Sequence, residues 1–284
     1  MVRDGPADHR HRGRPLAAVV EGRLDVIAHD GAGARVEVSE VRGDPVTVTL
    51  TDGRLEVRHR EDGAQGWFRS LMNTASGSSL NYAVVGIAVP RGTSVEIATV
   101  TGEGFVSGGG PSTRINTVSG SLLADGTEGE LHLNTVSGEI IARGHTGILT
   151  AKTVSGEITA SGALADIRAK SVSGDLSFDV TGSCRSVGAS TMSGDLTVRV
   201  PYDLGVDLAA SMVSGRVVVD DERFRASGGK VTAVLGPSDR RVAMRVKSVS
   251  GDISVLHAPA GTHPEPGRAD GDTLRSEDTE GEDR

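Results

Sequence analysis

Seven Ser-Gly pairs punctuate the middle of the chain, at Ser119-Gly120, Ser137-Gly138, Ser155-Gly156, Ser173-Gly174, Ser193-Gly194, Ser214-Gly215 and Ser250-Gly251, each preceded by Val or, once, Met. Their start-to-start spacings are 18, 18, 18, 20, 21 and 36 residues, and Thr101-Gly102 adds a copy 18 residues upstream. A fixed period in this range marks stacked supersecondary units, each of which buries its apolar face only against its neighbours. The chain is therefore expected to be all-β, a single-stranded β-solenoid with two short strands per rung of 18–21 residues. The last gap reads as two rungs, one with a degenerate signature. Nine rungs at about 4.8 Å each would give a body roughly 43 Å long.

One rung can be written out from Leu131. Leu131, Leu133 and Thr135 share a parity, Ser137-Gly138 makes a bend, and Ile140 and Ala142 follow on the opposite parity as far as Gly144. A second loop, His145-Thr146-Gly147, leads into Leu149, Ala151 and Thr153 of the next rung. The equivalents Leu131, Leu149 and Ile167 are expected to stack, as are Ile140, Ile158 and Leu176, giving two facing sheets with a thin aliphatic core. Composition agrees, because aromatic residues are 2% of the chain while glycine numbers 39. Such an interior is filled by Val, Ile, Leu, Ala and Thr, and its turns need glycine.

The ends of the array differ in pattern. Residues 1–15 are polar and aperiodic and are read as a disordered leader; 16–98 as an N-terminal β region that caps the solenoid; 99–256 as the repeats; 257–284 as a disordered acidic tail. Within the cap, Asp30-Gly31 and Asp52-Gly53 are tight-turn signals between alternating strands. Residues 61–81 break the alternation and carry Trp67 and Phe68, the aromatic pair singled out as a partner contact or else a plug over the first rung.

Two ladders run through the repeats. Thr117/Ser119, Thr135/Ser137, Thr153/Ser155, Ser171/Ser173, Thr191/Ser193 and Ser248/Ser250 place hydroxyls at fixed positions. An unbroken strand points Thr135 inward with Leu131 and Leu133, where its hydroxyl bonds a neighbour or turn backbone; a bulge before it would turn Val136 inward instead. Glu103, Glu139, Glu157, Asp175, Asp195 and Asp252 each follow a Gly, and Lys152, Lys170 and Lys247 stand three residues before their local Ser, placed to pair across the bend. A solvated charged edge, without a metal, is the expectation for this row.

Charge and chemistry exclude several classes. The net charge is −8; the residues from Glu265 onward hold eight acids against three arginines, and residues 1–15 hold four arginines against two aspartates. The body between is mildly acidic and is expected to offer no basic face to nucleic acid. The lone Cys184 falls in rung register and is read as a packed apolar side chain. No metal-ligand spacing, nucleophile elbow, phosphate loop or dinucleotide fingerprint is found, so no catalytic, cofactor or metal residues are assigned. The run from Leu16 to Val20 is too short for a signal-peptide core or a membrane span, which points to the cytoplasm, with the cell surface as the alternative.

The run Thr135-Val-Ser-Gly-Glu139, Thr153-Val-Ser-Gly-Glu157, Ser171-Val-Ser-Gly-Asp175 and Thr191-Met-Ser-Gly-Asp195 resembles the bacterial adhesin-like β-strand-repeat family, a toast-rack-like domain without an assigned function. The resemblance covers about residues 16–258 and implies a β-solenoid without established enzyme activity; some relatives occur in membrane-stress contexts. Sequence and resemblance together lead to a non-enzymatic scaffold that recruits a protein partner, linked to envelope stress or regulation. Self-association through the solenoid ends is a further expectation. A surface adhesin for glycan or matrix is the alternative, and a carbohydrate-active β-helix enzyme comes third.

Overall fold

A computed structural model describes residues 16–19, 21–51, 54–59, 82–224 and 229–258. Among them are 22 strands and no helix. The strands build two ladders that face each other across one aliphatic core. The first sheet runs, in spatial order, through β4 (Thr47–Thr51), β5 (Arg54–Arg58), β1 (Leu16–Val19), β7 (Val95–Thr99), β9 (Ser112–Thr117) and β11 (Glu128–Thr135). It continues with the second halves of β12 (Glu139–Thr153) and β13 (Ile158–Lys170), then β15 (Ser186–Thr191), β21 (Arg241–Ser248), β17 (Gly205–Met212) and β20 (Lys230–Leu235).

The second sheet runs through β3 (Arg35–Arg42), β6 (Tyr82–Pro90), β2 (Glu21–His29), β8 (Glu103–Ser107), β10 (Ser121–Asp125) and the first halves of β12 and β13. After these come β14 (Leu176–Val180), β16 (Leu196–Val200), β22 (Ile253–His257), β18 (Val217–Val219) and β19 (Glu222–Phe224). Pairing is parallel throughout except at the two ends, where β4 on β5, β3 on β6, β20 on β17 and β19 on β18 are antiparallel.

The expected stacks are present in register. Leu131 lies against Leu149 and that against Ile167; Ile140 lies against Ile158 and that against Leu176. All six are essentially solvent-free, and each such side chain contributes about 1.5–3 kcal/mol of burial. Phe178 is the largest fully buried side chain among the described residues, beside the small Ala160 in the neighbouring rung.

Two expectations about rung order are corrected. Among the described residues, the 36-residue gap between Ser214 and Ser250 holds no degenerate rung. It contains the end strands β19 and β20, after which β21 and β22 return to pair between the β15/β16 rung and the β17/β18 rung. The N-terminal strands do the same, with β1 between β5 and β7 and β2 between β6 and β8. The parallel stack thus has ten rungs among the described residues, not nine, and within the N-terminal region only β3 and β4 act as end strands. Translation-invariant spacing in sequence cannot show that a rung is threaded out of order.

The second loop of the rung also differs from expectation. β12 and β13 pass through it as continuous strands of 15 and 13 residues. Gly144 (φ 61°), Gly147 (φ 138°) and Gly162 (φ 138°) take up the bend in a left-handed region that β-carbons disfavour. His145 fills the inside of this corner, fully buried, with Nδ1 3.0 Å from the Thr127 Oγ1 and carbonyl and Nε2 3.3 Å from the Ile148 carbonyl. Burial holds its pKa below the ordinary histidine value, against the smaller opposing effect of those two backbone contacts.

Candidate functional site

The recurrent bend explains its own signature. Thr135 is buried, and its hydroxyl accepts from the Gly138 amide at 2.8 Å while donating to the Gly138 carbonyl at 3.0 Å. Thr117, Thr191 and Ser248 form the same closed turn with Gly120, Gly194 and Gly251. The strand is therefore unbroken and the bulged alternative does not occur. Ser137, Ser155 and Ser173 sit outside the turn, their hydroxyls donating to the valine carbonyl of the rung before at 3.2–3.3 Å. Ser119, Ser193 and Ser214 repeat that contact, and Ser250 makes it to the Met192 carbonyl.

Glycine follows because a β-carbon has nowhere to go. One placed on Gly138, Gly156, Gly174 or Gly194 would lie 1.9–2.2 Å from the carbonyl oxygen of the glycine one rung earlier, well inside van der Waals contact. The ladder extends to Gly120, Gly215 and Gly251, and, unnoticed in the sequence, back to Gly22, which Gly102 approaches in the same way. Gly22 carries no Ser before it, so only its stacking position identifies it.

What the turn leaves outside is a row of apolar side chains. Val136, Val154, Val172, Met192, Val249 and Val213 are 36%, 46%, 43%, 56%, 46% and 80% exposed. They are neighbours in this order because each rung's Ser amide donates to the Val or Met carbonyl before it, the last two steps being Ser250 to Met192 and Ser214 to Val249. The result is a continuous apolar ridge along one edge of the solenoid. Sequence parity predicts that these residues point outward, but the row's continuity across the out-of-order rungs is visible only in three dimensions.

The charged rows fall on the two sides of this ridge. Glu139, Glu157, Asp175 and Asp195 stand exposed on the second sheet. Asp175 accepts from the Asp195 amide and Asp195 from the Asp252 amide, each at 2.8 Å, so part of this acid ladder is tied into backbone between rungs. Asp252 is held by Arg216 through its amide and guanidinium, which keeps the carboxyl below its usual range. Among the described residues no group of three or more His, Cys, Asp or Glu side chains is arranged to hold a metal.

Lys152, Lys170 and Lys247 do not pair with these acids, contrary to the spacing argument. The bend puts them on the outer face of the first sheet, where Lys152 abuts Lys170 and the row continues through Ser190 to Lys247. Two residues away, Arg168, Gly188 and Arg245 form a parallel row. All five cations are exposed. The body therefore has a basic face after all, hidden in the sequence because opposite charges alternate along the chain but separate onto two sheets in space.

A shallow depression of about 290 Å³ lies on the second sheet, floored by Phe105, Leu123 and Ile141 and rimmed by Arg23, Glu103, Glu139 and Arg143. Cys184 is buried, its thiol pKa pushed up to about 11 chiefly by desolvation, in accord with a packing role. Trp67 and Phe68 lie outside the described residues. So do the stretches read as leader and, from residue 259, as acidic tail. Among the described residues no helix is long and apolar enough to cross a membrane.

Comparison with known proteins bears on the fold. The family model Toastrack DUF4097 matches residues 160–256, which span the second half of the stack. A crystal structure named "Putative lipid binding protein", from Parabacteroides distasonis ATCC 8503, is 16% identical, with a TM-score of 0.48, covering 87% of this chain and 93% of that one. Another, of "a putative cell adhesion protein" from Clostridium sporogenes ATCC 15579, is 12% identical with a TM-score of 0.27 and the same coverages. No curated protein matches. The repeat signature, the paired ladders and the family match coincide over residues 160–256, where the chain is similar to the toast-rack domain model.

Proposed function

We propose that this chain is a non-enzymatic β-solenoid scaffold that recruits a protein partner along its apolar ridge. The observation that carries the reading is the unbroken outward row from Val136 to Val213. Each of these side chains could be polar without affecting the turn, whose hydrogen bonds use Thr and Ser hydroxyls and main-chain groups but no Val or Met side chain. A contiguous apolar strip left in water at the same point of successive rungs is the mark of a contact surface. The non-enzymatic part rests on how the reactive side chains are engaged. The rung Thr hydroxyls close turns, His145 is buried in a corner, and Cys184 is a desolvated thiol.

The test is a photoreactive amino acid at position 154 in the native host, with position 177 on the second sheet as control. A discrete crosslinked protein at 154, absent at 177 and lost when Val136 and Val172 are both changed to Asp, is expected. Equal crosslinking at the two positions refutes the ridge. A cytoplasmic location belongs to the same reading and is checked by fractionation with protease shaving of intact cells. Cleavage of the chain on intact cells would move the reading to adhesion. Any self-association through an end is assigned to the β3/β4 end, where Val38, Val41, Val48 and Leu50 remain exposed, and sedimentation of Leu50→Glu tests it.

A further inference from the structure

The outer face of the first sheet carries Lys152, Lys170, Lys247, Arg168 and Arg245 within four neighbouring rungs, and Lys230 extends the row beyond Ser211. None of the six is in an ion pair with a described residue. The acids on the same face of these strands are Asp166, which Arg185 holds through a charged hydrogen bond, and Asp207. Six close cations repel one another, and a face of this kind attracts an extended polyanion.

The same chain supplies one. Residues 265–284 contain Glu265, Asp270, Asp272, Glu277, Asp278, Glu280, Glu282 and Asp283 against three arginines. The described chain ends at Ala258, whose amide donates to the Val200 carbonyl at 2.8 Å. That anchor lies at the corner where the first sheet begins, because the preceding His257 contacts the Leu204 carbonyl at 2.9 Å and Gly205 opens β17. From the start of β21 to Lys247 is about 20 Å of strand. Residues 259–265 span up to about 23 Å when extended, so the first acid reaches the near edge of the basic rows and the remaining nineteen residues have length to spare. We infer that the acidic segment 265–284 lies across the basic face of the first sheet and screens it from other polyanions. Tethering makes the contact intramolecular, with an effective concentration in the millimolar range, which lets individually weak charge pairs act together.

The experiment uses the full chain with Ser276→Cys carrying a nitroxide. Cys184 is buried with its thiol pKa pushed up to about 11, so the label goes to position 276 alone. At about 0.1 M salt, amide signals of β21 and of the second halves of β12 and β13 are expected to lose at least about half their intensity relative to the reduced label. At about 1 M salt, where the screening length falls from about 10 Å to about 3 Å, the loss should vanish. It should vanish equally in Lys170→Glu/Arg245→Glu, whose exposed positions leave the core untouched. Broadening absent at low salt, or centred on Thr159 and Ser177 of the second sheet, overturns the assignment. Broadening that appears only between labelled and isotope-enriched molecules in a mixture assigns the face to a second copy and overturns it too.

Discussion

Replacing Gly156 by Ala should be among the most damaging single-methyl changes this chain can suffer. The added carbon would sit 2.1 Å from the Gly138 carbonyl oxygen and 2.9 Å from the Thr135 methyl, both from the rung before. An ordinary carbon–oxygen contact needs more than 3 Å, so the rungs must part by roughly 1 Å, about a fifth of their 4.8 Å repeat. That separation strains the Gly156 amide bond to the Val136 carbonyl, 3.1 Å, and its neighbour from Ser155 at 2.7 Å. Overpacking costs about 1–3 kcal/mol and two weakened backbone bonds about 1 kcal/mol each. The lower unfolded-state entropy of Ala offsets about 0.4–1 kcal/mol of this. A net loss of about 2–5 kcal/mol is expected, a fall in Tm on the order of 10 °C, measured by circular dichroism on the full chain. Gly33→Ala is the matched control, since nothing lies within 4 Å of its added carbon, and should change stability by less than about 0.5 kcal/mol. If Gly156→Ala costs no more than Gly33→Ala, close rung approach is not why the bend uses glycine.

Changing Val154 to Asp should cost less than about 1 kcal/mol by urea titration, because the side chain is 46% exposed on the ridge; a loss several times larger would mean that it packs inward. Cys184 should resist alkylation at pH 8 in the native protein and react on unfolding, since a thiol pKa of about 11 leaves about one thiolate per thousand; rapid native labelling would contradict its burial. Acid should act through His145. Its folded pKa lies below the unfolded 6.5, so its neutral, buried form favours the native state above pH 6.5 and that contribution is lost as pH falls below it. His145→Gln should flatten this part of the stability profile, and an unchanged slope would exclude the histidine as its source.

Much of this fold is legible in the sequence because the chain repeats a physical constraint. Thr inward and Val outward follow from parity and Gly from the need for a bend, so the registers Leu131–Leu149–Ile167 and Ile140–Ile158–Leu176 can be written from residue spacing alone, while the close approach of successive glycines shows only in three dimensions. What spacing hides are facts that depend on which rung neighbours which. The 36-residue gap reads as an extra turn of the coil because spacing counts residues and does not report threading. Lys152 and the acids after the Ser-Gly bend read as partners because they are close along the chain, yet the sharp bend separates them onto different sheets. Gly22 is hidden for the opposite reason, having the stacking position without the Ser-Gly spelling. The apolar ridge is half legible, since each outward Val can be assigned but its unbroken run past Met192 to Val249 and Val213 cannot.

The threading of the two end rungs changes how such a stack can be assembled and trimmed. In a simple solenoid, a terminal repeat can be removed and the next one becomes the end. Here β21 and β22 are the wedge between β15/β16 and β17/β18, and β1 and β2 play that part at the other end. Excising residues 241–257 would not shorten the coil by a turn; it would open a slot one strand wide inside it, with two unpaired edges facing each other. Folding likewise cannot zip from one end to the other, because the penultimate slot at each end must be filled by sequence from far along the chain. The array thus behaves less like a stack of interchangeable plates and more like a strap whose ends are tucked back under its own last winding.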